Sequence, residues 1–215
     1  MTGVPEIGRA FLARGGKRLR PRICAAAYRH ACPDGTADLS ALQEAVECFH
    51  KASLVHDDIQ DGDRERYGQP ALWCAYGVPC AIAVGDWLMA EGMCLVDGAA
   101  FPNVQEMARL RSRAIRELCE GQGDELCGRG DYVSVCARKT GALFALAAGL
   151  GALAAGADPQ PYWDWGVAFG VLYQVRDDIA DQGATPELRA LEEEYVRRLG
   201  GLPHLIDLNG ENWRN

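Results

Sequence analysis

The sequence predicts an all-α fold. Apolar residues recur at helical spacing along most of the chain. No run alternates apolar and polar residues as a half-buried strand does. Of 215 residues, 48% are hydrophobic and 24% charged, the balance of an ordinary globular domain. That balance excludes collagen, coiled coil and disorder as the main architecture. The length fits a single domain over 1–215.

Each helix has its own signal. Asp38 to Ser40 supplies capping residues, and Leu42, Ala45, Val46, Phe49 and Ser53 follow as one stripe. Gly77-Val78-Pro79 opens a second helix that continues through Ile82, Gly85 and Leu88. Met107, Leu110, Ala114, Leu118 and Gly121 mark a third. A fourth runs from Thr140 to about Ala155, almost all Ala, Gly and Leu, so that neighbouring helices approach closely. The apolar stretch 141–157 is 17 residues long, slightly short for a membrane span and better read as a core helix. Trp165 to Ile179 is a fifth. The last opens at Thr185-Pro186-Glu187, repeats Leu188, Leu191, Tyr195 and Leu199, and stops at Gly200-Gly201.

The net charge of −8 argues against nucleic acid and anionic membrane as partners. An anionic substrate would need local cations or metal ions. Nine cysteines without a C-x-x-C pair, and no basic-then-apolar leader, predict a reduced, cytoplasmic protein. Its thiols are expected in the core as small apolar residues.

Two aspartate clusters share one spacing: Asp57, Asp58 and Asp61, then Asp177, Asp178 and Asp181. On a helix, Asp57 and Asp61 lie one turn apart on one face. His50 falls between them in azimuth, Asp58 sits at the edge, and Gln174 shares the face of the second cluster. Two carboxylates about 5 Å apart repel by roughly 3 kcal/mol at an effective dielectric near 20, so the arrangement calls for cations. Hard oxygen ligands suit Mg²⁺, which is usually shared with substrate phosphates. Two facing clusters would hold several such ions around one pyrophosphate. A solvated acidic face is the alternative for either cluster alone, and the duplicate among apolar neighbours disfavours it. His56-Asp57 also allows a His-Asp phosphohydrolase metal site, which would leave the second cluster unexplained.

Gly15-Gly16-Lys17-Arg18-Leu19-Arg20-Pro21 sets three cations within four residues of an acidic chain. Glycines permit close backbone approach, and Lys17 and Arg20 project on neighbouring azimuths, a phosphate-binding arrangement. An exposed basic helix start is the alternative. Arg64 and Arg66 follow the first acidic cluster, and Lys139-Thr140 opens the small-residue helix.

In this order, the motifs resemble the trans-prenyl diphosphate synthases, also called polyprenyl synthetases. The resemblance rests on residues 15–21, Glu47-Cys48-Phe49-His50, Ser53 to Asp58, Gly85-Asp86, Gly121-Gln122, Lys139-Thr140-Gly141 and Tyr173 to Asp178. It implies an isoprenoid-synthase-type helical bundle with a central apolar pocket, usually a homodimer, with a heteromer as the alternative. It implies Mg²⁺-dependent condensation of isopentenyl diphosphate with an allylic prenyl diphosphate, with three ions around the bound diphosphate. By resemblance Asp57, Asp61 and Asp177 are the main metal ligands, supported by Asp58, Asp178 and Asp181. Gly16, Lys17, Arg20 and His50 match the isopentenyl diphosphate site. Arg66, Lys139, Thr140 and Gln174 match the allylic site. Asp57, Asp58, Asp61, Arg66, Lys139, Asp177 and Asp178 form the implied catalytic set. The roles suit the chemistry: the leaving pyrophosphate needs charge stabilisation, and the carbocation needs a dry cavity.

Three departures are visible. Arg66-Tyr67-Gly68 stands where the family reads Arg-Arg-Gly, so one cation of the isopentenyl diphosphate site is missing. Tyr67→Arg is therefore expected to tighten that substrate. Only 34 residues follow Asp181, and the helices that close the site are expected to be missing or replaced. Only 14 precede Gly15, so an N-terminal helix is expected to be lost. These losses leave two alternatives: a terpene synthase-like enzyme that ionises one prenyl diphosphate, or a non-catalytic subunit of a heteromeric synthase. By resemblance a bulky aromatic residue just before Asp57 shortens the product to C15. Here Ala52 and Ser53 stand there, so the expected product is C20 or longer, with Trp87 and Met89 as candidates for the pocket floor.

Overall fold

The computed structural model describes residues 3–201 and 203–206. It is a helical bundle. Helices α1 (Val4–Leu12) and α2 (Leu19–Ala31) precede α3 (Ser40–Asp61). A hairpin of β1 (Glu65–Arg66) and β2 (Gln69–Pro70) and the short α4 (Leu72–Tyr76) follow. The chain continues through α5 (Val78–Asp97), α6 (Val104–Leu126), α7 (Tyr132–Cys136), a π-helical turn (Ala137–Gly141) and α8 (Ala142–Ala154). It ends in α9 (Gln160–Gln182) and α10 (Pro186–Leu199). All six helices expected from apolar spacing form. Of the others, α1 does carry a stripe of Val4, Ile7 and Phe11, whereas α2 is Ala-rich, α4 and α7 are short, and two-residue strands cannot show alternation.

Helix α8 is the axis of the bundle. Every residue from Ala142 to Leu153 is buried, against α2, α3, α6 and α9. Small residues make this possible. A Cβ on Gly151 would lie 2.1 Å from the Cys24 carbonyl oxygen, and one on Gly170 would lie 2.3 Å from Gly141 Cα. Both helix pairs therefore meet backbone to backbone. A smaller core joins Ile7 and Phe11 of α1 to Ala52 and Val55 of α3 and to Val84 and Leu88 of α5.

Helix α1 precedes the Gly15-Gly16 turn. After the second Asp cluster, α10 packs on α9. Its Thr185 hydroxyl accepts the Leu188 N–H at 3.2 Å, and Tyr195 and Leu199 enter the main core. Arg176 of α9 holds Glu192 of α10 at 2.7 Å. The thiols are not uniformly core residues. Cys24, Cys48 and Cys136 are buried, but Cys94, Cys119 and Cys127 are exposed, and all nine are free. Both α5 and Tyr132–Ala154 have the length and apolar character of a membrane span. The second is mostly buried and is the core helix described above.

Candidate active site

The two Asp clusters occupy the C-terminal turns of α3 and α9. Carboxylates at the negative end of a helix dipole are unfavourably placed, and their own repulsion adds to this. Burial pushes Asp57 up to about 6, with Asp61 and Glu125 adding and Lys139 and Arg66 opposing. Burial also raises Asp177, helped by Asp181 and Asp178 and opposed by Lys17. Among the described residues, Asp57, Asp61, Asp177 and Asp181 make no hydrogen bond or ion pair. These oxygens fit a hard cation, which would relieve the strain. Among the described residues no three His, Cys, Asp or Glu side chains come together as a metal-ion site.

Asp58 is different. It is 1% exposed and accepts from Arg66 Nε at 2.8 Å and from its Nη2. The helix turns it 100° from Asp57, so that its Oδ1 meets the Arg66 guanidinium, while among the described residues its buried Oδ2 has no hydrogen-bond partner. Asp178 is also engaged. It accepts from the Tyr132 hydroxyl and, at 2.9 Å, from Gln174 Nε2. The Gln174 amide oxygen in turn accepts from Thr140 Oγ1 at 3.1 Å. Asp178 thus orients Gln174 and Thr140.

The π-helical turn carries Lys139 and Thr140 between the two clusters. Lys139 pairs with Glu125. Burial lowers its proton affinity, but Glu125, Asp57 and Asp61 outweigh that and hold it above the ordinary lysine value. A cavity of ≈ 480 Å³ opens here, lined by Lys139, Thr140, Gln174, Asp178, Tyr132 and Arg129 among others. Glu125 and Tyr132 escaped sequence reasoning because neither belongs to a repeated motif.

A second cavity, of ≈ 140 Å³, gathers Gly16, Lys17, Arg20 and His50 of the predicted second site, together with Tyr67. Arg20 lies over the Phe144 ring at 4.2 Å. Burial brings it down to about 10, against Tyr173 and Glu47. Burial, then Arg20, Lys51 and Arg66, hold His50 well below its ordinary value, so it is neutral. Lys51, which sequence reasoning passed over, is fully buried behind this cavity. Burial takes it down to about 8, while Glu47 resists. Its only signal was its position four residues after Glu47 on a helix.

A third cavity, of ≈ 200 Å³, lies under Asp57 and is lined by Ser53, Met89, Leu118, Cys119, Gln122 and Leu126 with their neighbours. Two earlier candidates are absent from it. Ala52 belongs to the small core with Phe11 and Leu88, because it is turned 100° from Ser53. Trp87 packs over Gly8 of α1. One turn deeper than Ser53, Phe49 is fully buried and seated on Gly92 of α5, where a Cβ would lie 2.7 Å from its ring.

A polyprenyl synthetase family model matches residues 3–189. The chain is 35% identical over 175 residues to the geranylgeranyl diphosphate synthase of Rhodobacter capsulatus, covering 78% of this chain and 61% of that protein. It is 31% identical over 191 residues to the geranylgeranyl pyrophosphate synthase of Geoglobus acetivorans, covering 83% and 60%. The chain spans about three fifths of the length of these curated relatives. Among solved structures, it is similar to a polyprenyl synthase from Caulobacter crescentus complexed with calcium and isoprenyl diphosphate. The TM-score there is 0.72 with 32% identity, over 85% of this chain and 58% of that one.

Proposed function

The chain belongs to the polyprenyl synthetase family, and from that membership we propose that it condenses isopentenyl diphosphate with an allylic prenyl diphosphate. The observation that supports the reading is a pair of separate cation-bearing cavities: one at Lys139, Thr140 and Asp178, the other at Lys17, Arg20 and His50. An enzyme that ionises a single diphosphate has no use for the second, which argues against the terpene synthase-like alternative. The strained carboxylates of both clusters argue against a non-catalytic subunit.

In this reading Asp57, Asp61, Asp177 and Asp181 would hold Mg²⁺, which would supply positive charge to stabilise the diphosphate as a leaving group. Lys139 and Arg66 add fixed positive charge on the same leaving group. Thr140 and Gln174 orient it by hydrogen bonds. Lys17 and Arg20 bind the second diphosphate, and neutral His50 donates a hydrogen bond to it. The reacting carbons then meet by positioning, with no protein nucleophile. The tail enters the cavity under Asp57, away from water. Ser53 at its wall is too small to block it, and Phe49 is the proposed floor, giving a product of C20 or longer. We assign residues 1–215 to one domain acting as a homodimer in a reducing, cytoplasmic compartment. The nine free thiols and the exposed apolar residues Val78 and Ile82 of α5 support this.

The test is incubation of the purified chain with Mg²⁺, isopentenyl diphosphate and each allylic diphosphate in turn. A lengthened prenyl diphosphate supports the reading. Hydrocarbon release without incorporation of labelled isopentenyl diphosphate refutes it.

A further inference from the structure

Lys51 is an unusual residue to find at 0% exposure. A buried ammonium is retained only where its donors are satisfied. Here two of the three are satisfied by main chain: Nζ donates to the Arg14 carbonyl at 2.7 Å and to the Gly15 carbonyl at 2.9 Å. On its other side Nζ lies 3.9 Å from the centroid of the Tyr67 ring, at cation–π distance. The ammonium therefore joins the loop before α2 to the tip of the β1–β2 hairpin.

Left-handed backbone flanks both contacts. Gly16 has φ +99° and Arg18 φ +46°. A Cβ on Gly16 would lie 3.4 Å from Tyr67 Oη and 3.5 Å from Lys51 Nζ. Tyr67 itself has φ +56°, followed by Gly68 at +69°, in the two-residue turn between paired Arg66 and Gln69. Left-handed φ is unfavourable for a tyrosine, and here it brings the ring over the ammonium.

The consequence for the anion site is geometric. In a trans peptide the C=O and N–H point in opposite directions. Carbonyls of Arg14 and Gly15 drawn onto Lys51 turn the amides of Gly15 and Gly16 away from it. Among the described residues neither amide meets a protein acceptor. Gly16 lines the cavity with Lys17 and Arg20, and amides exposed by such alternating backbone form an anion-binding concavity.

We propose that Lys51 is a positioning residue for the second diphosphate, its buried ammonium and the Tyr67 ring clamping the 15–18 turn in its anion-binding shape. The inference rests on the functional reading above and deepens it. It also reverses the expectation for Tyr67→Arg. A guanidinium in place of the ring would meet the ammonium already there, so the substitution weakens binding while Lys51 is present and strengthens it once Lys51 is apolar.

Calorimetric titration of isopentenyl diphosphate into wild type, Lys51→Met, Tyr67→Arg and the double variant tests this. Lys51→Met is expected to weaken binding by about tenfold or more, the effect of one charge-assisted contact. The affinity for geranyl diphosphate with Mg²⁺ should stay within about twofold, because the clamp touches one site. Lys51→Arg, which keeps the donors, should recover part of the loss. Tyr67→Arg should lower the affinity alone and raise it in the Lys51→Met background. Equal weakening of both ligands, unchanged isopentenyl diphosphate binding, or the same effect of Tyr67→Arg in both backgrounds overturns the proposal. If wild type binds no isopentenyl diphosphate, the functional reading falls. Inorganic pyrophosphate without metal then decides the clamp: weaker binding by Lys51→Met upholds it, and equal binding rejects it.

Discussion

Replacing Asp57 by Asn should make the ligand-free protein more stable. Burial holds the Asp57 carboxyl up to about 6, so the folded state binds this proton more tightly than the unfolded chain does. Below the unfolded value, near pH 4, both states are protonated and there is no penalty. The penalty grows as pH rises and is complete above about pH 6. At about 1.4 kcal/mol per pH unit its ceiling is about 3 kcal/mol. Asp57 keeps some solvent contact, and screening reduces the figure to about 1–2 kcal/mol. For a chain of this size that corresponds to a rise in Tm of about 2–8 °C. Scanning calorimetry of Asp57→Asn without metal should show the gain at pH 7.5 and its disappearance near pH 4. Adding Mg²⁺ and inorganic pyrophosphate together should reverse the ranking. Wild type gains about 2.7 kcal/mol at a hundredfold excess over Kd, whereas the variant lacks the joint gain. A variant no more stable than wild type at pH 7.5, or equally stabilised at both pH values, would refute the reasoning.

Three further outcomes are expected. Ser53→Phe, at the wall of the cavity under Asp57, should shorten the prenyl product, read by chromatography of the dephosphorylated alcohols. Ala52→Phe should instead overfill the small core and lower Tm, at a cost of about 1–3 kcal/mol, without the same change in product. His50 sits well below its ordinary value, so the folded state resists its protonation, and stability present above pH 6.5 is lost on acidification. His50→Asn should flatten that loss between pH 7 and pH 5 in a urea-denaturation series. Glu192→Gln leaves the largely buried Arg176 of α9 without its ion pair and should lower the urea midpoint by about 1–3 kcal/mol equivalent, while Arg189→Gln, on the exposed side of the same carboxylate, should change it little.

Much of the architecture was legible because it rests on short-range rules. Apolar residues three and four apart specified α3, α5, α6, α8, α9 and α10. Thr185-Pro186 and Gly200 bounded the last of these. The paired Asp motifs and the Gly15–Arg20 cluster could be read as chemistry because a fixed spacing on a helix fixes a shared face. Composition also identified α8 as the core helix, since only Ala and Gly allow backbones to touch as Gly151 and Gly170 do.

Other features depended on which helix lies beside which. Asp57 and Asp58 are neighbours in sequence and alike in chemistry. Among the described residues one makes no hydrogen bond or ion pair and the other is buried on Arg66, a difference set by a 100° rotation and by the hairpin that returns Arg66 to α3. Ala52 and Ser53 divide in the same way between two cores. Lys51 gave almost no sequence signal, because its partners are carbonyls from 36 and 37 residues earlier and an aromatic ring on a later turn. Local sequence determines the face on which a side chain projects. What that face meets, and therefore whether a carboxylate binds metal, orients an arginine or is balanced by a buried lysine, is decided only when distant segments pack and exclude water.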